Sequence, residues 1–145
     1  MRTEIDFIGK LEVPSDALYG IHAARAGMNF PDTTPFHKEW YKAIGLVKKA
    51  CYQAAGAYAQ AAGEKYGITP EHPRQVTHLV HAAGEVAEGE YFDHFIVPAV
   101  SGGAGTSINM NVNEIIANVA LVKTGAEPGD YHRIDPIEDA NAYQS

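Results

Sequence analysis

The residues best suited to chemistry lie in a glycine-rich turn that leads directly into a helical pattern. Gly102, Gly103 and Gly105 allow the backbone to turn sharply and let a ligand approach its peptide groups. Thr106 and Ser107 follow at once, where a helix is predicted to begin. Their hydroxyl groups and the free N–H groups of the first helical turn can point at one spot, with the positive end of the helix dipole behind it. This arrangement favours an anion such as a carboxylate or a phosphate.

The helix predicted after this turn carries several asparagines. Apolar residues recur at helical spacing beyond Thr106, and Gly125 marks the predicted end of the helix. A buried amide needs partners for its donors and its acceptor, so asparagines here predict a polar, hydrogen-bonded environment. The plainer interpretation, which is favoured for any single position, is that each one caps this helix or a neighbouring one. The four residues are Asn109, Asn111, Asn113 and Asn118.

The glycine turn alone does not identify a ligand, because it has neither the spacing of a dinucleotide-binding fingerprint nor the G-x-x-x-x-G-K-[ST] motif of a P-loop. As a whole, the string Gly-Gly-Ala-Gly-Thr-Ser-x-Asn-Met-Asn-x-Asn-Glu-x-x-Ala-Asn is specific. It resembles the aspartase/fumarase superfamily, most closely its aspartate ammonia-lyases. The resemblance extends over nearly the whole chain. Residues 2–30 resemble the opening segment of the family, and Gln144-Ser145 resembles the start of its Q-S-[ST]-N-D motif, where this chain stops.

The resemblance implies an elimination reaction that yields fumarate. In this chemistry a base removes a proton beside a carboxylate, and hydrogen-bond donors hold the resulting aci-carboxylate until ammonia or another group leaves. The implied substrate-binding residues are Thr106, Ser107 and Ser145. The implied supporting residues, which shape the turns around the site, are Gly105, Asn109, Asn111, Asn141 and Gln144.

The rest of the family's active site is implied to lie beyond this chain. The serine that acts as base, a Thr-His pair, and a Lys and an Asn near the carboxylates belong to a central helical region and beyond. The resemblance also implies a homotetramer in which three subunits assemble each site. We therefore expect no catalytic residue, no metal site and no cofactor in this chain. Residues 1–145 are interpreted as a single N-terminal lyase domain, truncated before the central helical domain and inactive alone.

Two alternatives remain open. A fumarase-type hydratase, or another superfamily lyase, would use Thr106 and Ser145 in the same way. The segment Asp135-Pro136-Ile137-Glu138-Asp139 stands where many fumarases carry H-P-N-D, and this departure favours an ammonia-lyase. The second alternative is a non-catalytic structural or regulatory subunit of a split enzyme, and the nearly intact glycine turn argues against it.

The elements that must position these residues are mainly helical. Residues 3–13 alternate as a short hairpin with a turn near Gly9-Lys10, and residues 14–37 are predicted to be irregular, with one helical turn around Ser15 to Leu18. Helices are predicted from Glu39 to about Tyr66, from Thr69-Pro70 to Gly89, and after the glycine turn. The predicted fold class is therefore mainly α, with three principal helices, a small N-terminal β-hairpin and long irregular segments.

The first long helix shows an apolar stripe with steps of four and three residues. Cys51, the only cysteine, lies on this stripe and is interpreted as a buried, inert thiol. A single cysteine excludes an internal disulfide and favours a reducing compartment. The stripe consists of Trp40, Ile44, Val47, Cys51, Ala54, Tyr58 and Ala61.

The composition of the chain excludes some classes of binding partner. The formal net charge of −7 argues against nucleic acid and against an anionic membrane surface. His78, His81 and Glu85 share a face of the second helix and can in principle offer metal ligands, but without an evident fourth ligand they are interpreted as solvated or interface side chains. No signal peptide or membrane-spanning run is apparent. We expect a cytoplasmic protein whose partners are a small dicarboxylate or amino-acid substrate and further copies of the enzyme.

Overall fold

The computed structural model describes residues 1–67 and 75–142, which form a mostly helical fold with a two-stranded hairpin. The predicted class is confirmed, with four α-helices in the described residues rather than three. The elements are β1 (Arg2–Ile5), β2 (Lys10–Val13), α1 (Ile21–Asn29), α2 (Lys38–Tyr66), α3 (Val76–Glu88) and α4 (Thr106–Lys123), with a 3₁₀ turn at Phe92–His94 before α4.

The hairpin forms where it was predicted. β1 and β2 pair antiparallel, with Arg2 opposite Val13 and Ile5 opposite Lys10. The Asp6 carboxylate accepts hydrogen bonds from the N–H groups of Ile8 and Gly9, which closes the turn between the strands. The register therefore follows from the alternating pattern together with this side-chain-stabilised turn.

Helix α1 lies in the segment that was predicted to be irregular. Residues Ser15 to Leu18 do not form the predicted helical turn, and the chain there makes a hydrogen-bonded turn from Ala17 N–H to Pro14 O. The helix starts instead at Ile21, and no side chain at its N-cap residue, Gly20, bonds the first turn. Carboxylates remote in sequence supply that cap, so the local signals of a helix start are missing.

Helix α2 has the predicted length and ends where Gly67 takes a left-handed conformation, with φ 65°. Helix α3 ends at the predicted Gly89 and begins at Val76, because Gln75 is left-handed with φ 53°. Its predicted start at Thr69-Pro70 lies outside the described residues. The two helices approach closely at Gly45, where a Cβ atom would come within 2.6 Å of the backbone nitrogen of Ala87.

The buried face of α2 is not the predicted apolar stripe. Trp40, Val47 and Tyr58 are 61%, 58% and 63% exposed, and Cys51 is only half-buried. The prediction of the buried face is wrong for two reasons. Small residues on the other face let α3 approach, and the polar side chains on that face find partners. The buried residues of α2 are Tyr41, Gly45, Lys48, Tyr52, Ala55 and Ala62.

Helix α4 is the central element, and α1, α2 and α3 all pack against it. It is buried on every side from Asn111 to Leu121, and it ends just before Gly125, as predicted. None of the helices in the described ranges is long and apolar enough to cross a membrane. The larger residues of the core are Phe36, Tyr41, Tyr52, Leu79, Val86, Phe95, Val112, Ile115, Ile116, Leu121 and Ile134.

Candidate carboxylate-binding site

The glycine turn forms a left-handed run that places the start of α4 at the surface. Gly103, Ala104 and Gly105 have φ values of 86°, 54° and 84°. At Ala104 this conformation costs about 1 kcal/mol, because its Cβ crowds the following carbonyl oxygen. Thr106 is the first helical residue, and both its N–H and its hydroxyl group donate to Gly103 O, at 3.1 and 2.9 Å. The hydroxyl group is exposed and can exchange this bond for one to a ligand.

Ser107 faces a cleft between the hairpin turn, α1 and the start of α4. The cleft has a volume of about 520 Å³, and His22, Arg25 and Asn29 also line it. The Arg25 guanidinium group is bound by the Asp6 carboxylate at 2.7 Å, and this pairing lowers the pKa of Asp6. The Asp6 carboxylate largely balances the charge of Arg25. The first turn of α4 is the other candidate source of donors on this wall, because the N–H groups of a helix's first turn have no intrahelical partner.

The supporting asparagines lie beneath the turn in a hydrogen-bonded network. Asn109 and Asn113 both donate to the side-chain oxygen of Asn141, each at 2.9 Å. The side-chain oxygen of Asn109 accepts from Lys48 Nζ at 2.6 Å. The network therefore joins α2, α4 and the segment that ends the described chain. The predicted residues Gln144 and Ser145 lie outside the described residues.

Asn111 and Asn118 hold neighbouring loops, a structural role that differs from the helix capping predicted for single asparagines. The side-chain oxygen of Asn111 accepts from the N–H groups of Ile96 and Val97, at 2.8 and 3.2 Å. Asn118 donates to Leu18 O and accepts from Gly129 N–H, both at 2.8 Å. These buried amides fix the loops on either side of α4 and so contribute to the fold.

Glu114 has a structural role that sequence reasoning missed. Its buried carboxylate accepts from the N–H groups of Gly20, His22 and Ala23, at 2.9, 2.8 and 3.1 Å, and so caps α1 from another helix. Burial raises the pKa of Glu114 to about 7, although these three donors act in the opposite direction. The available signal was a glutamate in the middle of a helix whose neighbours are otherwise apolar or amide side chains.

Lys48 is the second residue that sequence reasoning missed. It is 1% exposed, and burial lowers its pKa to about 8. The available signal was its spacing of three and four residues from Gly45 and Tyr52, which lie on the same inner face of α2.

The histidines considered as metal ligands are not gathered into such a site. In residues 1–67 and 75–142, no group of three or more His, Cys, Asp and Glu side chains is placed to hold a metal ion. Glu85 pairs with Lys123 at 2.6 Å and accepts from the Tyr91 hydroxyl group at 2.8 Å. These contacts make Glu85 part of the packing between α3 and α4.

A protein family model described as lyase matches residues 9–141, and the chain belongs to this lyase family. Among its relatives, an aspartate ammonia-lyase of Bacillus sp. is 44% identical over 146 residues, which cover 100% of this chain and 29% of that enzyme. The aspartate ammonia-lyase of Bacillus subtilis strain 168 is 41% identical over 145 residues, covering 99% and 28% of the two chains. The resemblance inferred from the glycine turn is thereby confirmed.

A solved structure shares the fold as well. The crystal structure of a fumarate lyase:delta crystallin from Brucella melitensis superposes with a TM-score of 0.82 at 36% identity, covering 100% of this chain and 31% of that one. The chain thus spans about three-tenths of the length of these relatives and matches their N-terminal part.

Proposed function

We propose that this chain is the N-terminal part of an ammonia-lyase that eliminates ammonia from aspartate, or from a similar amino acid, to give fumarate. The observation that carries the proposal is the start of α4, where Ser107 lines an open cleft and the preceding Thr106 has an exposed hydroxyl group. The relatives of the chain are aspartate ammonia-lyases. The complete protein is proposed to be a cytoplasmic homotetramer, as the family resemblance implies.

The role of this part is to bind a carboxylate group and to stabilise the charge that it gains. When a base takes the proton from the carbon beside the carboxylate, the electron pair of that C–H bond moves into the carboxylate group. It returns to form the carbon–carbon double bond as the C–N bond breaks and ammonia leaves. Donors at Thr106 and Ser107 hold this extra charge most strongly in the transition state, which raises the rate. The base and the remaining donors are proposed to come from the rest of the enzyme, Ser145 among the donors.

The test begins with the reading frame of the source gene beyond Ser145 and uses its complete product. We expect that protein to release fumarate from L-aspartate, measured by the ultraviolet absorbance of fumarate. Fumarate formed from L-malate alone would identify a hydratase instead. No fumarate from either substrate, or from other amino acids and hydroxy acids that could yield it, would point to a non-catalytic subunit and overturn the proposal.

Thr106→Ala tests the proposed donor. Loss of one transition-state hydrogen bond should lower kcat about a hundredfold while the protein remains folded. Thr124→Ala is the matched control, because Thr124 stands at the other end of α4 and donates to Leu121 O at 2.7 Å. Equal kinetics for the two variants would remove Thr106 from the proposed site.

A further inference from the structure

The lysine on the inner face of α2 has no role in the function described so far. Lys48 is 1% exposed, and its ammonium group donates to Asn109 Oδ1 at 2.6 Å. Asn109 is a neutral partner, so this contact satisfies a donor without balancing the charge. A buried cation of this kind is costly, because it has lost its hydration without gaining a carboxylate in exchange.

Groups with pKa values moved by burial gather at functional sites, although structural sites also contain them. For Lys48 the pKa is lowered to about 8 by burial, and an electrostatic interaction with Cys51, one turn further along α2, acts in the opposite direction. Toward α4 the ammonium group meets the Asn109 amide, which in turn donates to the amide of Asn141. Among the described residues, the hydrogen-bond partner of the ammonium group is thus an amide and not a carboxylate.

The position of this charge is informative. Asn109 lies three residues after Thr106, about one helical turn into α4. The N-terminus of α4 already carries a partial positive charge from the helix dipole. Lys48 adds a full charge beneath the same helix end, and each disfavours the other until an anion is bound. An anion bound at the first turn of α4 would relieve this repulsion.

Lys48 also decides how the Asn109 amide is turned. The ammonium group can only donate, so Asn109 presents its oxygen to Lys48 and its NH₂ group to Asn141. Asn113 donates to the same oxygen of Asn141, which ties α4 to the segment that follows it. Without a donor at position 48, the Asn109 amide is free to turn over, and its contact with Asn141 loses its fixed orientation.

We propose that Lys48 is a positioning residue of the carboxylate site, which orients Asn109 beneath the first turn of α4 and supplies the positive charge that balances the bound carboxylate. The inference rests on the proposed function, because it takes the ligand of this site to be a carboxylate. Affinity for a dicarboxylate then falls as the pH rises past the point where Lys48 loses its proton.

The test uses the complete gene product and succinate, a dicarboxylate that has no leaving group. Its dissociation constant is measured by calorimetry on both sides of the Lys48 pKa of about 8. Lys48→Met should weaken binding about tenfold below that pH, equivalent to about 1.4 kcal/mol, and should remove the pH dependence. Lys48→Arg keeps the charge at high pH, so its binding should stay nearly constant across the range.

Lys49→Met is the matched control, since Lys49 is the next residue along α2 and lines a surface groove against α3 instead. It should bind succinate as the unmodified protein does. Lys48→Met should also fold, because it replaces a buried amine with an apolar chain of similar length. A purely structural role would change the melting temperature but would not produce the pH-dependent affinity or its retention in the arginine variant.

Different outcomes separate this inference from the proposed function. Succinate binding that depends on Lys48, in a protein that does not release fumarate from aspartate, would support the inference and reject the proposed substrate. Turnover of aspartate with equal succinate binding in Lys48→Met and Lys49→Met at every pH would overturn the inference alone. Failure of the unmodified protein to bind succinate at all would also overturn it.

Discussion

At the scale of single residues, α4 combines a carboxylate and a set of amides that would be costly if left without partners. The Glu114 carboxylate accepts hydrogen bonds from three backbone N–H groups at the start of α1. Asn111 and Asn118 accept hydrogen bonds from N–H groups of the loops on either side of α4. These three side chains therefore replace water by specific partners, whereas the buried side-chain oxygen of Asn113 has none among the described residues. The polar motif stabilises the fold at these positions, and ligand binding is proposed only for the first turn of α4.

Glu114 predicts a pH dependence of stability. Its pKa is raised to about 7 in the folded protein from an ordinary value of 4.5, so the folded state keeps the proton over a range where the unfolded state loses it. The stabilisation is complete below pH 4.5 and is lost as the pH rises through about 7. Glu114→Gln should flatten this part of the curve of urea midpoint against pH.

The exposed Glu127 provides a control for that experiment. Glu127→Gln should leave the slope of stability against pH unchanged, whatever small shift it causes in the midpoint. The readout is the slope, because Glu114→Gln also loses part of the α1 cap and lowers stability at every pH. Parallel curves for Glu114→Gln and the unmodified protein would show that the carboxyl group of Glu114 does not titrate differently on folding.

At the scale of elements, helix α2 is placed by close packing rather than by its large apolar side chains. Gly45 brings its backbone against α3, while the Tyr41 and Tyr52 hydroxyl groups donate to the carbonyl oxygens of Glu90 and Ala140, at 2.7 and 2.6 Å. This packing turns Lys48 inward beneath α4. The position of Lys48 beneath α4 therefore depends on how closely α2 and α3 approach.

Gly45→Ala tests this dependence. The added Cβ would lie 2.6 Å from Ala87 N and 2.7 Å from a Val86 methyl group, so the helices must separate. We expect a loss of about 1–3 kcal/mol in the free energy of unfolding, measured by urea denaturation. Gly56→Ala on the same helix should be neutral or stabilising, because its nearest neighbour is 3.7 Å away and alanine favours the helix. Equal stability of the two variants would contradict the proposed packing.

At the scale of the whole molecule, the described residues leave the apolar stripe of α2 on the outside. Trp40, Val47 and Tyr58 are all more than half exposed. An apolar face of this kind on a chain that spans about three-tenths of its relatives is consistent with the proposal that further parts of the enzyme complete the assembly. The uncovered face thus agrees with the proposal that the rest of the enzyme supplies the remaining part of the active site.

Trp40 reports on that assembly, since it is the only tryptophan of the chain and is 61% exposed. If the rest of the enzyme covers the stripe, the fluorescence of Trp40 should be harder to quench with acrylamide in the complete gene product than in residues 1–145 alone. Any further tryptophan in the complete product is first replaced by phenylalanine. Equal quenching in the two proteins would show that this face stays in contact with water.

Much of the fold and the outline of the site could be predicted from local patterns. The hairpin, the ends of α2 and α3 and the glycine turn before α4 depend on residues close in sequence, and the structure confirms them. Helix α1 could not be predicted in this way, because Glu114 caps it from more than ninety residues away. The buried face of α2 was predicted wrongly, because a stripe of large apolar residues does not reveal which face finds a neighbour.

By itself, the sequence determined the lyase family and predicted a carboxylate site at the start of α4. Both depend on residue types at short spacing, above all the glycines before Thr106 and the asparagines after it. Only the tertiary structure decided that Lys48 lies beneath that site and that Glu114 holds α1. Both contacts join elements far apart in the chain, and a buried charge acquires its partner, and its altered pKa, only when those elements pack together.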